Sequence, residues 1–444
     1  MKKKIFMAFM ASFWVIASFG QKKVKSQYLI ASSDRPAVSN ERPTPKKHPN
    51  FEHRVMYQGP VPHKSPKREL RGVWVSTVQR VDYPSHATTN IDELRKEWMD
   101  LLQYYQELNL NTVIVQIRPT GDAIYPSKIV PYSKWLTGKS GKPLDGNADL
   151  LAYMIKTAHE EGFEFHAWVN PYRVIIDEDT TDLDPRHPLK AHPEWVVKYG
   201  REYIMNPGIP AVWRYLTDVV GEVVKKYDVD AVHFDDYFYP YRIANEPFPD
   251  KQAFAKYGKK FADVNDWRRA NTDSLMWNVR KVIKKNKPHV QLGVSPFAVW
   301  RNKSDDPNGS DTKAFQRCYD DLYANVLLWI QRGWLDYVAP EIYFNIGHPL
   351  VDYKTILDWW ASHSEGTNLY VSHAIYKINR QEKFPAWNDP DEIPRQLNIA
   401  RSNEHVKGLV FFSSKWLKVN DPGVTSVLRD QFFIDKAELP QSVK

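Results

Sequence analysis

The sequence holds a single cysteine, Cys318, so no disulfide within the chain is possible and the expected role of this residue is a buried, inert thiol. Chemistry-bearing motifs are also few. There is no His-Glu-x-x-His, no paired cysteine, no P-loop and no Gly-x-Ser-x-Gly elbow. Zinc-peptidase, nucleotide and serine-hydrolase readings have no support, and no cofactor and no metal are expected. Asp305-Asp306-Pro307-Asn308-Gly309-Ser310-Asp311 has oxygen ligands around a glycine but lacks calcium-loop spacing, so a plain turn is the expectation.

Basic charge in the folded part is missing too. The net charge is +8, but residues 1–68 hold 14 Lys and Arg against 3 Asp and Glu, while the remainder holds 47 against 50. A basic nucleic-acid groove is therefore not implied. The first twenty residues read as a secretory leader: Lys2, Lys3 and Lys4 precede an apolar stretch from Ile5 to Phe19, too short for a comfortable membrane span. Ser18 and Gly20 supply the small residues for cleavage before Gln21, and no cysteine follows to carry a lipid. Export without stable membrane insertion is expected. Residues 21–68, rich in Lys, Pro, Ser and Asn, read as a basic tether.

What is present is a strand–helix alternation. Eight strand-like runs cover 70–78, 112–119, 163–171, 230–238, 291–299, 336–343, 368–376 and 408–414. Seven amphipathic helices are expected over 91–108, 210–227, 265–285, 319–332, 350–363, 391–403 and 424–433. This predicts an α/β fold, one (β/α)₈ TIM barrel over 69–433, followed by a frayed tail over 434–444. Apolar content of 42% is ample for its core, and 16 Trp exceed what such a core needs, which points to ligand surfaces. Long loops follow the second, third and fifth runs, where they would shape substrate access. They carry Tyr125, Tyr132, Trp135, Trp195, Tyr199 and Arg301.

Side chains alternate along a strand. Val113, Val115 and Ile117 share one face, Gln116 and Arg118 the other. Glu164, His166, Trp168 and Asn170 share a face, as do His233 and Asp235, and Ala339 and Glu341. The apolar faces should meet the helices and the polar ones the barrel interior. A buried carboxylate is costly unless paired or useful. Asp235, Asp236 and Glu341 are the catalytic candidates, and Asp235, Asp236, Arg118, Asn170 and Glu341 are expected to face one cleft. His166 and His233 are candidates for substrate binding, at even odds with a purely structural place inside the barrel. Trp135 and Trp195 are expected to stack on sugars from exposed loop positions.

Several motifs together resemble the bacterial glycosyl-hydrolase-like 10 family. They are Leu70-Arg71-Gly72-Val73-Trp74-Val75, Ile117-Arg118-Pro119 with Gly121-Asp122-Ala123 and Tyr125-Pro126-Ser127, and Ala167-Trp168-Val169-Asn170-Pro171-Tyr172-Arg173. Asn206-Pro207-Gly208, His233-Phe234-Asp235-Asp236-Tyr237-Phe238-Tyr239-Pro240, Ser295-Pro296-Phe297, Trp300-Arg301-Asn302 and Asp336-Tyr337-Val338-Ala339-Pro340 continue the series. The resemblance covers roughly residues 69–430. It implies the same barrel and an activity on polysaccharide, of the kind that cuts peptidoglycan glycan strands stripped of their peptides. It also implies substrate contacts at Asp122, Arg173, Asn206, Tyr237, Ser295, Trp300 and Arg301. Family members often carry Gln where this chain has Glu341.

Two glycosidase schemes stay open. Asp235 acts as nucleophile with Glu341 as general acid and base, the carboxyls then lying about 5–5.5 Å apart. Alternatively the two aspartates work as a pair, one orienting the substrate's 2-acetamido group as internal nucleophile, the other protonating the leaving oxygen. The rivals are a non-catalytic glycan-binding protein on a degenerate barrel and a barrel hydrolase of another bond, such as a deacetylase.

Overall fold

The computed structural model describes residues 57–60, 66–378, 385–419 and 423–441. The expected leader over 1–20, and the tether up to residue 56 and over 61–65, lie outside the described residues. Eleven strands follow in order: β1 Leu70–Val75, β2 Thr112–Arg118, β3 Glu164–Val169, β4 Arg173–Ile175, β5 Val196–Tyr199, β6 Glu202–Met205, β7 Ala231–Phe234, β8 Gln291–Val294, β9 Tyr337–Val338, β10 Asn368–His373 and β11 Val406–Phe411. Eight of them, β1, β2, β3, β7, β8, β9, β10 and β11, close into a parallel barrel in that order, β11 returning to β1. All eight expected strands are present.

Several are shorter than expected because proline follows. Pro171, Pro296 and Pro340 have no amide to donate, so the ladders of β3, β8 and β9 stop before them. The chain beyond β3 contributes what the sequence pattern did not reveal: β4, β6 and β5 form a small antiparallel sheet inside one of the long loops.

Strand alternation sorts the core into two parts. Val73, Val75, Val113, Val115 and Ile117 join the cluster between strands and helices. Leu70, Trp74, Ile114, Trp168, Ala231, Tyr337, Tyr370 and Val410 fill the barrel interior. The helices form where their apolar stripes fit the outer wall. Ile91–Glu107 starts at Asn90, whose side chain accepts from the amides of Asp92 and Glu93, and buries Leu94, Trp98, Leu101, Leu102 and Tyr105. Pro210–Lys226 starts with proline, which lacks only an amide the first turn leaves unpaired. Leu150–Glu160, capped by Asp149, adds a helix to the seven expected. The helix expected over 319–332 is two, Cys318–Asp321 and Val326–Gln331, because Tyr323 between them takes a φ of 53°. The last runs from Val424–Val427 into a wider turn, Leu428–Phe432.

Two expectations change. The tail does not fray over its described part: Glu69 and Glu438 are joined by a backbone hydrogen bond of 2.9 Å, Asn111 Nδ2 donates to the Ala437 carbonyl at 3.2 Å, and Leu439 packs under the barrel interior. Unpaired backbone at the barrel's lower rim supplies the partners. The tryptophan surplus is in larger part a core property, since Trp74, Trp98, Trp168, Trp267, Trp300, Trp329, Trp359, Trp360 and Trp387, nine of the 16, are buried. No helix among the described residues is long and apolar enough to cross a membrane.

Candidate active site

The carboxyl ends of the strands carry the chemistry, as in barrels generally. Strand β7 points His233 inward and places Asp235 one layer higher on the same face. Asp235 is 2% exposed. Its Oδ2 accepts from Trp168 Nε1 at 2.9 Å and Asn170 Nδ2 at 2.8 Å, and its Oδ1 from the Tyr237 amide at 3.3 Å. Asn170 Oδ1 in turn accepts from the Arg173 amide at 3.0 Å. The Arg173 guanidinium lies 4.3 Å above the Tyr237 ring. Burial pushes the Asp235 carboxyl above the usual range, while Arg173, Trp168, Asn170 and the Tyr237 amide pull the other way.

Asp236 has a different environment. It is 1% exposed; Oδ2 accepts from the Tyr241 hydroxyl, and Oδ1 has no partner among the described residues. Burial, with the Tyr241 bond opposing and Asp235 adding repulsion, pushes its pKa up to about 7. Glu341 completes the group. Single bridges link it to Phe297 on one side and Ser372 on the other, so the chain past β9 continues the barrel wall. Ser295 Oγ donates to Glu341 Oε1 at 3.2 Å. Burial first, then Asp236 and Asp235, push this carboxyl well above the usual range. Asp235 thus raises Asp236, and both raise Glu341, while Arg173 lowers the two aspartates. One group that keeps its proton near neutrality beside one held by three hydrogen bonds is the division of labour that acid–base catalysis uses.

Aromatic rings border the group. Tyr237 stacks on Tyr241 at 5.2 Å, Tyr241 meets Phe297 at 6.1 Å, and Tyr343 meets both Phe412 and Tyr376 at 6.1 Å. Tyr237, Phe297, Tyr343, Tyr376 and Phe412 are partly exposed and present faces suited to the C–H surface of a sugar. The thiol of Cys318 is buried, donates to the Phe297 carbonyl and is pushed up by burial, in keeping with an inert role.

Of the expected residues, Asp235, Asp236, Glu341, Asn170, Arg173, Tyr237 and Ser295 come together. The others have their contacts elsewhere. Arg118 does not neutralise the carboxylates: its Nη1 donates to the carbonyls of Asn170 and Pro171 at 2.5 and 3.2 Å, and the groups around its charge are Tyr215, Tyr125 and Asp122. It reaches the site only by holding the backbone of Asn170, and a register shift between Gln116 and Arg118 accounts for its new direction. Asp122 accepts from Thr120 Oγ1 at 2.7 Å. His166 and His233 are interior residues sharing the Tyr337 hydroxyl, at 2.9 and 2.7 Å, and His166 also meets Glu164 at 3.0 Å.

Asn206 accepts from the Gly208 amide at 2.9 Å and shapes the turn before Pro210–Lys226. Trp300 is buried against Tyr319 and Trp359. Arg301 is paired with Asp306 and Asp320. Asp305 is paired with Arg317, and Asp306 with Arg301 and the Asn308 amide, so two of the three carboxylates of the calcium-like run are engaged within the protein. Trp135 and Trp195 are half-buried rather than exposed platforms. Lys134 lies 4.9 Å over the Trp135 ring, and Trp195 stacks on His192 at 3.7 Å with its edge to Tyr215. Trp168, Tyr241 and Ser372 were not among the candidates. Strand alternation places Trp168 beside Asn170, but Tyr241 lies in a loop where no periodicity points to it.

Comparison with known proteins agrees with the barrel fold. The family model described as glycosyl hydrolase-like 10 matches residues 69–389. The glycosyl hydrolase YngK of Bacillus subtilis is 45% identical over 378 residues, 84% of this chain and 74% of that one. The glycosyl hydrolase DigH of Escherichia coli K12 is 36% identical over 380 residues, 81% and 86%. Among solved structures, the glycoside hydrolase domain of PgaB (BpsB) from Bordetella bronchiseptica superposes with a TM-score of 0.52 at 13% identity, covering 84% of this chain and all of that domain, a likeness of fold. Carboxylates gathered at an aromatic barrel mouth and this relatedness lead to one conclusion: the chain belongs to the glycosyl hydrolase-like 10 family and is a glycoside hydrolase.

Proposed function

We propose that the protein is exported and cleaves amino-sugar glycans, specifically peptide-free peptidoglycan strands, by substrate assistance with the aspartate pair. The carrying observation is the unequal setting of two adjacent aspartates. Asp235 accepts three hydrogen bonds beside Arg173, while Asp236 keeps one oxygen unpartnered and a pKa near neutrality. A carboxylate has about four acceptor sites. Asp235 therefore retains one for the N–H of a 2-acetamido group, whose carbonyl oxygen attacks the anomeric carbon. Asp236 gives its proton to the leaving oxygen as the glycosidic bond breaks. Water then opens the oxazolinium intermediate, its hydroxyl going to the anomeric carbon and its proton to Asp236, which restores the anomeric configuration.

The sugar class draws support from the family resemblance and the aromatic rim, and export from the charged start and short apolar run of residues 1–20. A second reading has its own observation. Glu341 is also pushed well above the carboxylate range and could serve as general acid with Asp235 as nucleophile. The test is hydrolysis of peptide-free glycan strands followed by mass spectrometry and NMR of the first-formed anomer. Retained configuration, with inhibition by a thiazoline analogue of the oxazoline, is expected. An inverted product, or retention with no thiazoline inhibition, would refute the substrate-assisted scheme.

A further inference from the structure

Lys377 follows β10, on the barrel end that carries the carboxylates. Its ammonium donates to the Tyr343 carbonyl at 2.5 Å. The hydroxyl of the same tyrosine bonds to Ser372 Oγ at 3.1 Å, and Glu341 is near enough to act on that phenol. The rings of Trp387, Phe344 and Tyr376 lie 5.5, 5.7 and 5.9 Å from the ammonium. No carboxylate among the described residues pairs with it, and desolvation alone moves its pKa, down to about 8.

Several other cations on this face are different. Arg173 has Asp235 and Glu202 beside it, Arg301 has Asp306 and Asp320, Arg317 has Asp305 and Asp321, and Arg242 has Asp321. An ammonium has three donors, and here one is used. Lys377 is half-buried, and a partly desolvated cation without a counter-charge among the described residues is costly, a cost that aromatic faces offset only in part. Bracing a single backbone carbonyl needs no charge. Beside an aromatic cleft, a cation that no carboxylate among the described residues pairs with is suited to an anion that the substrate brings.

Resting on the reading above, we propose that Lys377 is a specificity-determining residue that binds a carboxylate on the substrate, namely the lactyl ether carboxylate of a muramic residue. In a peptide-bearing strand that carboxyl is an amide and offers no charge. Lys377 would thus favour strands from which the peptide has been removed.

The experiment compares wild type, Lys377→Gln and Lys377→Arg on peptide-free strands and on the same strands with lactyl carboxyls reduced to alcohols. Losing one charge-assisted hydrogen bond should raise KM of Lys377→Gln on native strands about tenfold to a hundredfold, with kcat largely kept. On reduced strands wild type and Lys377→Gln should match, and Lys377→Arg should restore much of the native preference. Equal loss on both substrates would make Lys377 a structural brace and overturn the proposal. So would wild type cleaving both strands with equal kcat/KM. If wild type cleaves neither, the peptidoglycan reading itself fails, and the role of Lys377 with it.

Discussion

The two ends of this barrel bury acidic groups under opposite conditions. At the amino end, Glu69 accepts from Arg71 at 2.8 Å and from Arg401 at 2.8 and 2.7 Å, one carboxylate between two guanidinium groups. The returning tail adds the Asp435 carbonyl to Arg71. At the carboxyl end, burial raises Asp235, Asp236 and Glu341; Asp235 adds repulsion on Asp236, both add it on Glu341, and Arg173 opposes the shift at the two aspartates. The counter-charge ratio is reversed, and with it the consequence. A paired buried carboxylate keeps the fold together. Crowded carboxylates hold protons near neutrality, which weakens the fold at that pH but supplies an acid for catalysis. Conflict of this kind is expected at functional sites.

The comparison predicts that substitutions at the two ends fail in different measurements. Asp236→Asn and Asp235→Asn should each lower kcat by roughly 10²–10⁴-fold while circular dichroism shows an intact barrel. Near-normal turnover in both would remove the aspartate pair from the chemistry. Glu69→Ala should do the reverse. Leaving two arginines without their carboxylate should cost about 3–5 kcal/mol of stability in denaturant titration, with kcat of the folded fraction unchanged.

A smaller effect follows from pH. If Asp236 is the proton donor, kcat should fall about tenfold per unit as pH rises above about 7. The stability change has a defined sign. Because the folded pKa lies above the unfolded value of 3.8, the contribution is present in full below 3.8 and lost as pH rises through about 7. Asp236→Asn should therefore raise stability at pH 8, by roughly 1–3 kcal/mol, and leave it unchanged at pH 3. A kcat profile of Asp236→Asn that keeps the wild-type alkaline limb would assign that limb to another group. The smallest effect is expected from Glu341→Gln, a loss of about tenfold or less under the aspartate-pair scheme. A loss equal to that of Asp235→Asn would instead make Glu341 the general acid.

Much of this was legible in the chain. A strand alternates with period two, so His233 and Asp235 had to share a face, and so did Trp168 and Asn170. The eight expected strands and the apolar stripes of the helices follow from the same local periodicity. What was not legible depends on segments far apart in sequence. Alternation put Arg118 on the polar face, but the register shift beside it turned its charge toward Tyr125 and Tyr215 and left Arg173 as the cation of the site. His166 and His233 share the hydroxyl of Tyr337, more than a hundred positions away, a contact that strand alternation does not reveal. Loops usually run over the surface, which predicts exposed rings at Trp135 and Trp195, yet Lys134 and His192 cover part of each.

By itself, the sequence determined which residues stand at the carboxyl end of each strand, because that is a matter of local order and of a side-chain period of two. The partners of those residues were decided only by tertiary structure: which arginine lies beside which carboxylate and, among the described residues, which aspartate is left with an unpartnered oxygen and which lysine has no anion. Each of these depends on distances of a few ångströms between groups tens to hundreds of residues apart, and electrostatic and hydrogen-bond energies change steeply over such distances.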